Sequence, residues 1–105
     1  LVMKEITVTE LANKITSNNP INIVDVREDH EVALGVIPGA KHIPMGEIPN
    51  ELNHFSKDQT YYIVCAGGVR SARVVDYLND HDIDAVNVEG GMNEWGDDGL
   101  ENKRV

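Results

Sequence analysis

An α/β fold, with a central parallel sheet flanked by helices on both faces, is the architecture that three features of this sequence predict. Short runs rich in β-branched and aromatic residues stand at 21–26, 61–64 and 84–88, the segments between them carry helical start signals or helical spacing, and glycine or proline marks most of the junctions. Strands that alternate with helices return parallel to one another, and the crossing helices cover the sheet on both sides.

Thr7-Val8-Thr9-Glu10 opens the first helix, with Thr7 as cap, Glu10 reaching back, and Ile6 and Leu11 at the staple positions; the helix is expected from Val8 to Thr16. Asn18-Asn19-Pro20 ends it, and Ile21-Asn22-Ile23-Val24-Asp25-Val26 is a strand. Arg27 to Leu34 is polar enough for a short surface helix stopped by Gly35. Pro38-Gly39 is a turn, Ala40 to Ile43 a short strand closed by Pro44, and Gly46 to Phe55 one or two helical turns around Pro49. Tyr61-Tyr62-Ile63-Val64 is a buried strand, and Ala72, Val74, Val75 and Leu78 lie at helical spacing within Ser71–Asn79. Asp84 to Val88 is the last strand, Gly90-Gly91 a turn, and Met92 to Trp95 a brief helix in which Trp95 plugs the core.

The 105 residues are expected to form one domain, 1–105, with a core over about 6–95 and a loosely held tail over 96–105. Leu1-Val2 stand ahead of Met3-Lys4, the expected natural start. Nine Lys and Arg against eighteen Asp and Glu give a net charge of -9, which repels nucleic acid and anionic membrane, so neither is an expected partner. With no long apolar run and no signal pattern, a cytoplasmic location is expected. His30, His42, His54 and His81 are scattered without metal-binding spacing, and neither a metal nor a cofactor is assigned. A single cysteine excludes an internal disulfide and a CxxC motif.

That cysteine lies in Cys65-Ala66-Gly67-Gly68-Val69-Arg70-Ser71, where an apolar strand gives way to a helix. A lone cysteine at the end of a buried strand is commonly a small core residue. Here two consecutive glycines, which weaken strands and helices, and an arginine five positions on argue for a reactive thiol instead. The helix N-terminus offers unpaired N–H groups and a positive dipole end, Arg70 adds a fixed charge, and Gly67 and Gly68 let the backbone curl into an anion-binding nest. Ser71 is first a residue of the helix start and second a candidate ligand contact.

The chain resembles the single-domain rhodaneses, a sulfurtransferase family, from about Ile6 to Trp95. The match rests on Ile23-Val24-Asp25-Val26-Arg27-Glu28, on Gly35-Val36-Ile37-Pro38-Gly39-Ala40 with Ile43-Pro44, on Cys65 to Ser71 in the form C-x-x-G-x-R-S, and on Glu89-Gly90-Gly91 followed by Trp95. Val36 stands where the family often carries histidine, and Arg70 is the only cation of the loop. The resemblance implies that Cys65 attacks the sulfane sulfur of a small donor and carries it as a persulfide to a thiol or cyanide acceptor, with a protein as a further candidate for either role. The N–H groups of Gly67, Gly68, Val69, Arg70 and Ser71, in the loop that also holds Ala66, would bind the terminal sulfur. Asp25 and Arg27 serve structure near the end of their strand.

Two other classes fit parts of the pattern. A cysteine phosphatase or arsenate reductase shares the cysteine, the nest and the arginine, but those families resemble a cysteine and arginine separated by five residues, against four here. A non-catalytic rhodanese-like interaction module typically lacks the cysteine.

Overall fold

The computed structural model describes residues 3–17, 19–97 and 99–101; Leu1-Val2, Asn18 and the tail positions 98 and 102–105 lie outside them. In chain order the elements are β1 (Glu5–Ile6), α1 (Val8–Thr16), β2 (Asn22–Asp25), α2 (Asp29–Val32), β3 (Lys41–His42), two 3-10 turns (Met45–Glu47 and Pro49–His54), β4 (Thr60–Val64), α3 (Val69–Asp80), β5 (Asp84–Val88) and α4 (Gly91–Trp95). The sheet has the order β1-β5-β4-β2-β3, and every pairing within it is parallel. No described helix is long and apolar enough to cross a membrane.

Side chains alternate across the sheet, so each strand feeds two cores. Val24, Val26, Ile63, Cys65 and Ala85 face Val74, Val75 and Leu78 of α3, together with Ile48 and Phe55 from the 3-10 region. Ile23, Val64, Val86 and Val88 face the opposite way, against Leu11 of α1, Val32 of α2 and Met92 of α4. Strands buried on both faces explain why their sequences read as continuous apolar runs. The chain leaves β2 toward α2 on one face and leaves the adjacent β4 toward α3 on the other. Adjacent parallel strands whose connections diverge in this way open a crevice at their carboxyl ends, the usual ligand position in such sheets. Cys65 directly follows β4 at that edge.

The Thr7 cap forms as the sequence predicts: Glu10 N–H donates to Thr7 Oγ1 at 3.1 Å and Thr7 N–H donates to Glu10 Oε1 at 3.0 Å. Other boundaries differ. The helix expected at Ser71–Asn79 begins two residues earlier, because Gly68, at a φ of +100°, turns the chain directly into it. The expected helix over Arg27 to Leu34 contracts to Asp29–Val32, since Arg27 is buried and Glu28 caps through a reciprocal bond with Glu31. The expected strand from Ala40 to Ile43 pairs only at Lys41 and His42.

Two expectations are corrected. Glu5-Ile6, read only for the staple at Ile6, forms a short edge strand because β5 leaves donors open there, and Asn87 N–H and Glu89 N–H bond the carbonyls of Lys4 and Ile6 at 2.9 and 2.8 Å. The tail is not loose throughout. Val36 and Glu101 exchange backbone hydrogen bonds of 2.8 and 2.7 Å, Glu101 accepts from Gly39 N–H through its carboxylate, and Leu100 packs against the second core.

Candidate active site

At the end of β2 the chain buries an ion pair. Asp25 is fully enclosed and Arg27 is 7% exposed. Arg27 Nη2–H donates to Asp25 Oδ2 at 2.9 Å, Nε–H donates to both carboxylate oxygens, and Arg27 N–H caps Asp25 Oδ1 at 3.0 Å. Nη2 also donates to the Gly35 carbonyl at 2.8 Å, tying the end of β2 to the segment after α2. Neither residue is hydrogen-bonded to Cys65. They anchor the loop that carries α2, and through it Glu31.

Beside this anchor, Cys65 to Ser71 closes into a tight cradle. Met92 N–H and Asn93 N–H at the start of α4 bond the carbonyls of Cys65 and Ala66, each at 2.9 Å. With those carbonyls turned toward α4, the loop's own N–H groups are free to face the sulfur. Gly68 N–H donates to Cys65 Sγ at 3.1 Å and Ser71 N–H does so at 3.3 Å. Gly91 makes the docking of α4 possible: at a φ of +56°, a Cβ there would lie 2.4 Å from the Cys65 carbonyl oxygen. Gly67 and Val69 are exposed on the rim, Ala66 is half-buried, and Cys65 itself is 1% exposed.

Burial pushes the Cys65 thiol up. Against it stand the N–H groups of Ser71, Gly68 and Gly67, and the balance leaves Cys65 below the ordinary thiol value; the Ser71 hydroxyl oxygen lies 3.2 Å from Sγ. Arg70 enters this balance differently from the sequence expectation. Its guanidinium is not a free charge at the cysteine, because it forms a two-pronged pair with Glu31 of α2, at 2.7 and 2.9 Å. Arg70 is held protonated chiefly by Glu31, with a lesser contribution from a Cys65 anion.

The same pair holds the Glu31 carboxyl down to about 2, through the Arg70 hydrogen bonds first. Both side chains keep water contact, at 32% and 23% exposure, so screening limits the pair and Glu31→Gln is expected to cost about 1 kcal/mol at neutral pH. A carboxylate whose folded pKa is depressed contributes fully above its unfolded pKa of about 4.3 and loses that contribution as pH falls through the folded value. The stability gap between wild type and Glu31→Gln, measured by urea denaturation, should therefore shrink between about pH 4 and pH 2. A gap of the same size at both ends of that range would contradict the pairing.

Two residues of the site escaped the sequence reading. Glu31 carried a signal only as part of a polar helix. Asn87, 3% exposed in the middle of the apolar β5, was visible as a buried polar residue but had no evident partner. It accepts the Ser71 hydroxyl at 2.6 Å. Val36, at the position where a histidine is frequent in the resembled family, is fully buried in the second core.

Comparison with known proteins bears on the fold and the family. The rhodanese-like domain family model matches residues 7–98. A rhodanese-like domain protein from Staphylococcus aureus has a crystal structure that superposes with a TM-score of 0.94 at 63% identity, covering 96% of this chain and 99% of that one. The Bacillus subtilis protein named "Putative sulfurtransferase YtwF" is 45% identical over 93 residues, spanning 89% of this chain and 90% of its own length. A "Sulfurtransferase" from Allochromatium vinosum is 32% identical over 100 residues, 94% of each chain. A family model that matches residues 7–98, with relatives at 45% and 32% identity over nearly the whole of both chains, makes the chain a member of the rhodanese-like sulfurtransferase family.

Proposed function

We propose that this protein transfers a sulfane sulfur from a donor to a thiol or cyanide acceptor through a persulfide on Cys65. The observation that carries the reading is the sulfur's position at the start of α3, where two N–H groups converge on it from a loop whose carbonyls are tied elsewhere. The Cys65 thiolate attacks the outer sulfur of the donor, a Cys65 sulfur–sulfur bond forms, the donor's sulfur–sulfur bond breaks, and the donor leaves as thiolate or sulfite. An acceptor thiolate or cyanide then attacks the terminal sulfur and Cys65 returns as thiolate. The sulfur moves without net oxidation or reduction, so no cofactor enters the balance.

In this reading Cys65 is the nucleophile, and Ala66, Gly67, Gly68, Val69, Arg70 and Ser71 form the cradle for the persulfide. Donors aimed at a developing anion contribute a few kcal/mol, by analogy with oxyanion holes. Because Glu31 already neutralises Arg70, the site favours neutral or singly charged persulfides over the thiosulfate dianion. A free thiol that must return to its reduced form suits the cytoplasm. The donor and acceptor are small molecules or the persulfide and thiol groups of a partner protein.

The phosphatase reading predicts a different outcome at the same cysteine. Four residues between Cys65 and Arg70, and a sulfur enclosed at 1% exposure, suit a slim terminal sulfur better than a tetrahedral ester. Intact mass after incubation with a small-molecule persulfide should therefore rise by about 32 Da, a gain that reductant removes. Aryl phosphate should not be hydrolysed. A glycine inserted between Gly68 and Val69 should weaken sulfur loading and improve phosphate or arsenate binding, because the amides no longer converge on one atom. Aryl phosphate hydrolysis by the wild type, with no persulfide from any donor, would overturn the proposal. The absence of both activities would favour a non-catalytic interaction module.

A further inference from the structure

The hydroxyl of Ser71 faces two acceptors with one proton. Its oxygen lies 2.6 Å from Asn87 Oδ1 and 3.2 Å from Cys65 Sγ, and all three residues are buried. Which acceptor receives the proton follows from the orientation of the Asn87 amide. Asn87 Nδ2 sits 3.2 Å from the Gly68 carbonyl and 3.4 Å from Glu5 Oε2, both of which only accept. Turning the amide over would set Oδ1 against those two oxygens. The nitrogen therefore points at Gly68 and Glu5, the oxygen points at Ser71, and an amide oxygen can only accept. Ser71 Oγ–H must donate to Asn87.

We propose that Asn87 is a positioning residue that holds the single hydroxyl proton of Ser71 away from Cys65, so that Ser71 presents lone pairs to the sulfur and favours the thiol. The sheet builds this arrangement: alternation along β5 turns Asn87 to the same face as Ala85, the face on which α3 carries Ser71. When Cys65 ionises, the hydroxyl can turn to the thiolate only by leaving a buried Asn87 oxygen without a donor, a cost that offsets most of the gain. The N–H groups of Gly68 and Ser71, which have no competing acceptor of this kind, then carry the stabilisation of the anion. Asn87 thus opposes the ionisation that the loop promotes, and keeps Cys65 a thiol over part of the pH range in which the amides alone would ionise it.

The charged groups of the site are Arg70 on α3, Glu31 on α2 with Glu28 ahead of it, Glu5 on β1, and the Asp25–Arg27 pair at the end of β2. None is altered in the variants below. The inference concerns the thiol alone, so it stands or falls apart from the identity of the sulfur donor.

The test is the pH profile of iodoacetamide alkylation at Cys65. Asn87→Leu leaves the Gly68 carbonyl its bond from Ala72 N–H and releases the hydroxyl proton to the sulfur. Its midpoint should fall by about one pH unit, the size of a hydrogen bond to a charged group. In a Ser71→Ala background the same Asn87→Leu change should move the midpoint by less than about half a unit, since no proton remains to release. Ser71→Ala alone should also shift it by less than about half a unit, and this variant decides the matter should Asn87→Leu fail to fold. A midpoint unchanged or raised in folded Asn87→Leu, an equal fall with and without the Ser71 hydroxyl, or a rise of about one unit in Ser71→Ala would each overturn the inference.

Discussion

Cys65→Ser is expected to abolish both the persulfide mass gain and sulfur transfer, lowering turnover by about a thousandfold or more, the scale on which loss of a covalent nucleophile registers. The reason is ionisation and polarisability. A hydroxyl stays protonated where the thiol does not, and the two amides that lower the Cys65 pKa cannot bring a serine oxygen to the anion near neutral pH. Folding should survive, because a serine oxygen can still accept from Gly68 and Ser71 N–H and the smaller atom adds no clash. Circular dichroism and a denaturation midpoint close to wild type would separate lost chemistry from lost structure. Turnover retained in a folded Cys65→Ser protein would remove Cys65 from the mechanism altogether, since the chain has no second thiol.

Asp25→Ala is expected to be the most destabilising of the substitutions considered, by about 3–5 kcal/mol. The loss comes from what stays behind. Arg27 remains buried, held by the Gly35 carbonyl and by the chain on either side, with its charge uncompensated. Against a total stability of about 5–15 kcal/mol, such a loss leaves a large unfolded fraction at modest urea concentrations. Asp25→Asn keeps one oxygen for the guanidinium and should lose clearly less. Replacing both partners with apolar residues should also cost less than Asp25→Ala, because no charge is then stranded. A urea-derived loss below about 1 kcal/mol for Asp25→Ala would mean that Arg27 reaches water in the native state.

Much of the candidate site was legible because its signals are local. The apolar run 61–64, the Gly67-Gly68 pair and the spacing of Ala72, Val74, Val75 and Leu78 lie within one short stretch, and together they require a strand, a sharp turn and a helix. The cysteine can then stand in only one place, at the strand end beside a helix N-terminus. Asp25 and Arg27 were also legible as neighbours, being two residues apart, although their burial was not. What went unread were the partners that arrive from elsewhere. Glu31 was a polar residue in a surface helix until the sheet order set α2 beside the start of α3, 39 positions away in sequence. The edge strand Glu5-Ile6 and the Glu101 bridge to Val36 are backbone pairings in segments of ordinary composition, and no local pattern announces them.

The sequence by itself determined the alternation of strands and helices, the Thr7 cap, and a cysteine set in a glycine-rich turn ahead of an arginine. These depend on dihedral preference and side-chain spacing over a few residues, which the chain carries wherever it is placed. Only the tertiary structure decided which partners that loop meets. Parallel pairing of β4 with β5 and the packing of α3 brought Asn87 to Ser71, and the divergence of the chain after β2 and β4 brought Glu31 to Arg70. A hydrogen bond or an ion pair depends on distance and direction in space, and a buried polar group takes its partner from whichever element packs against it.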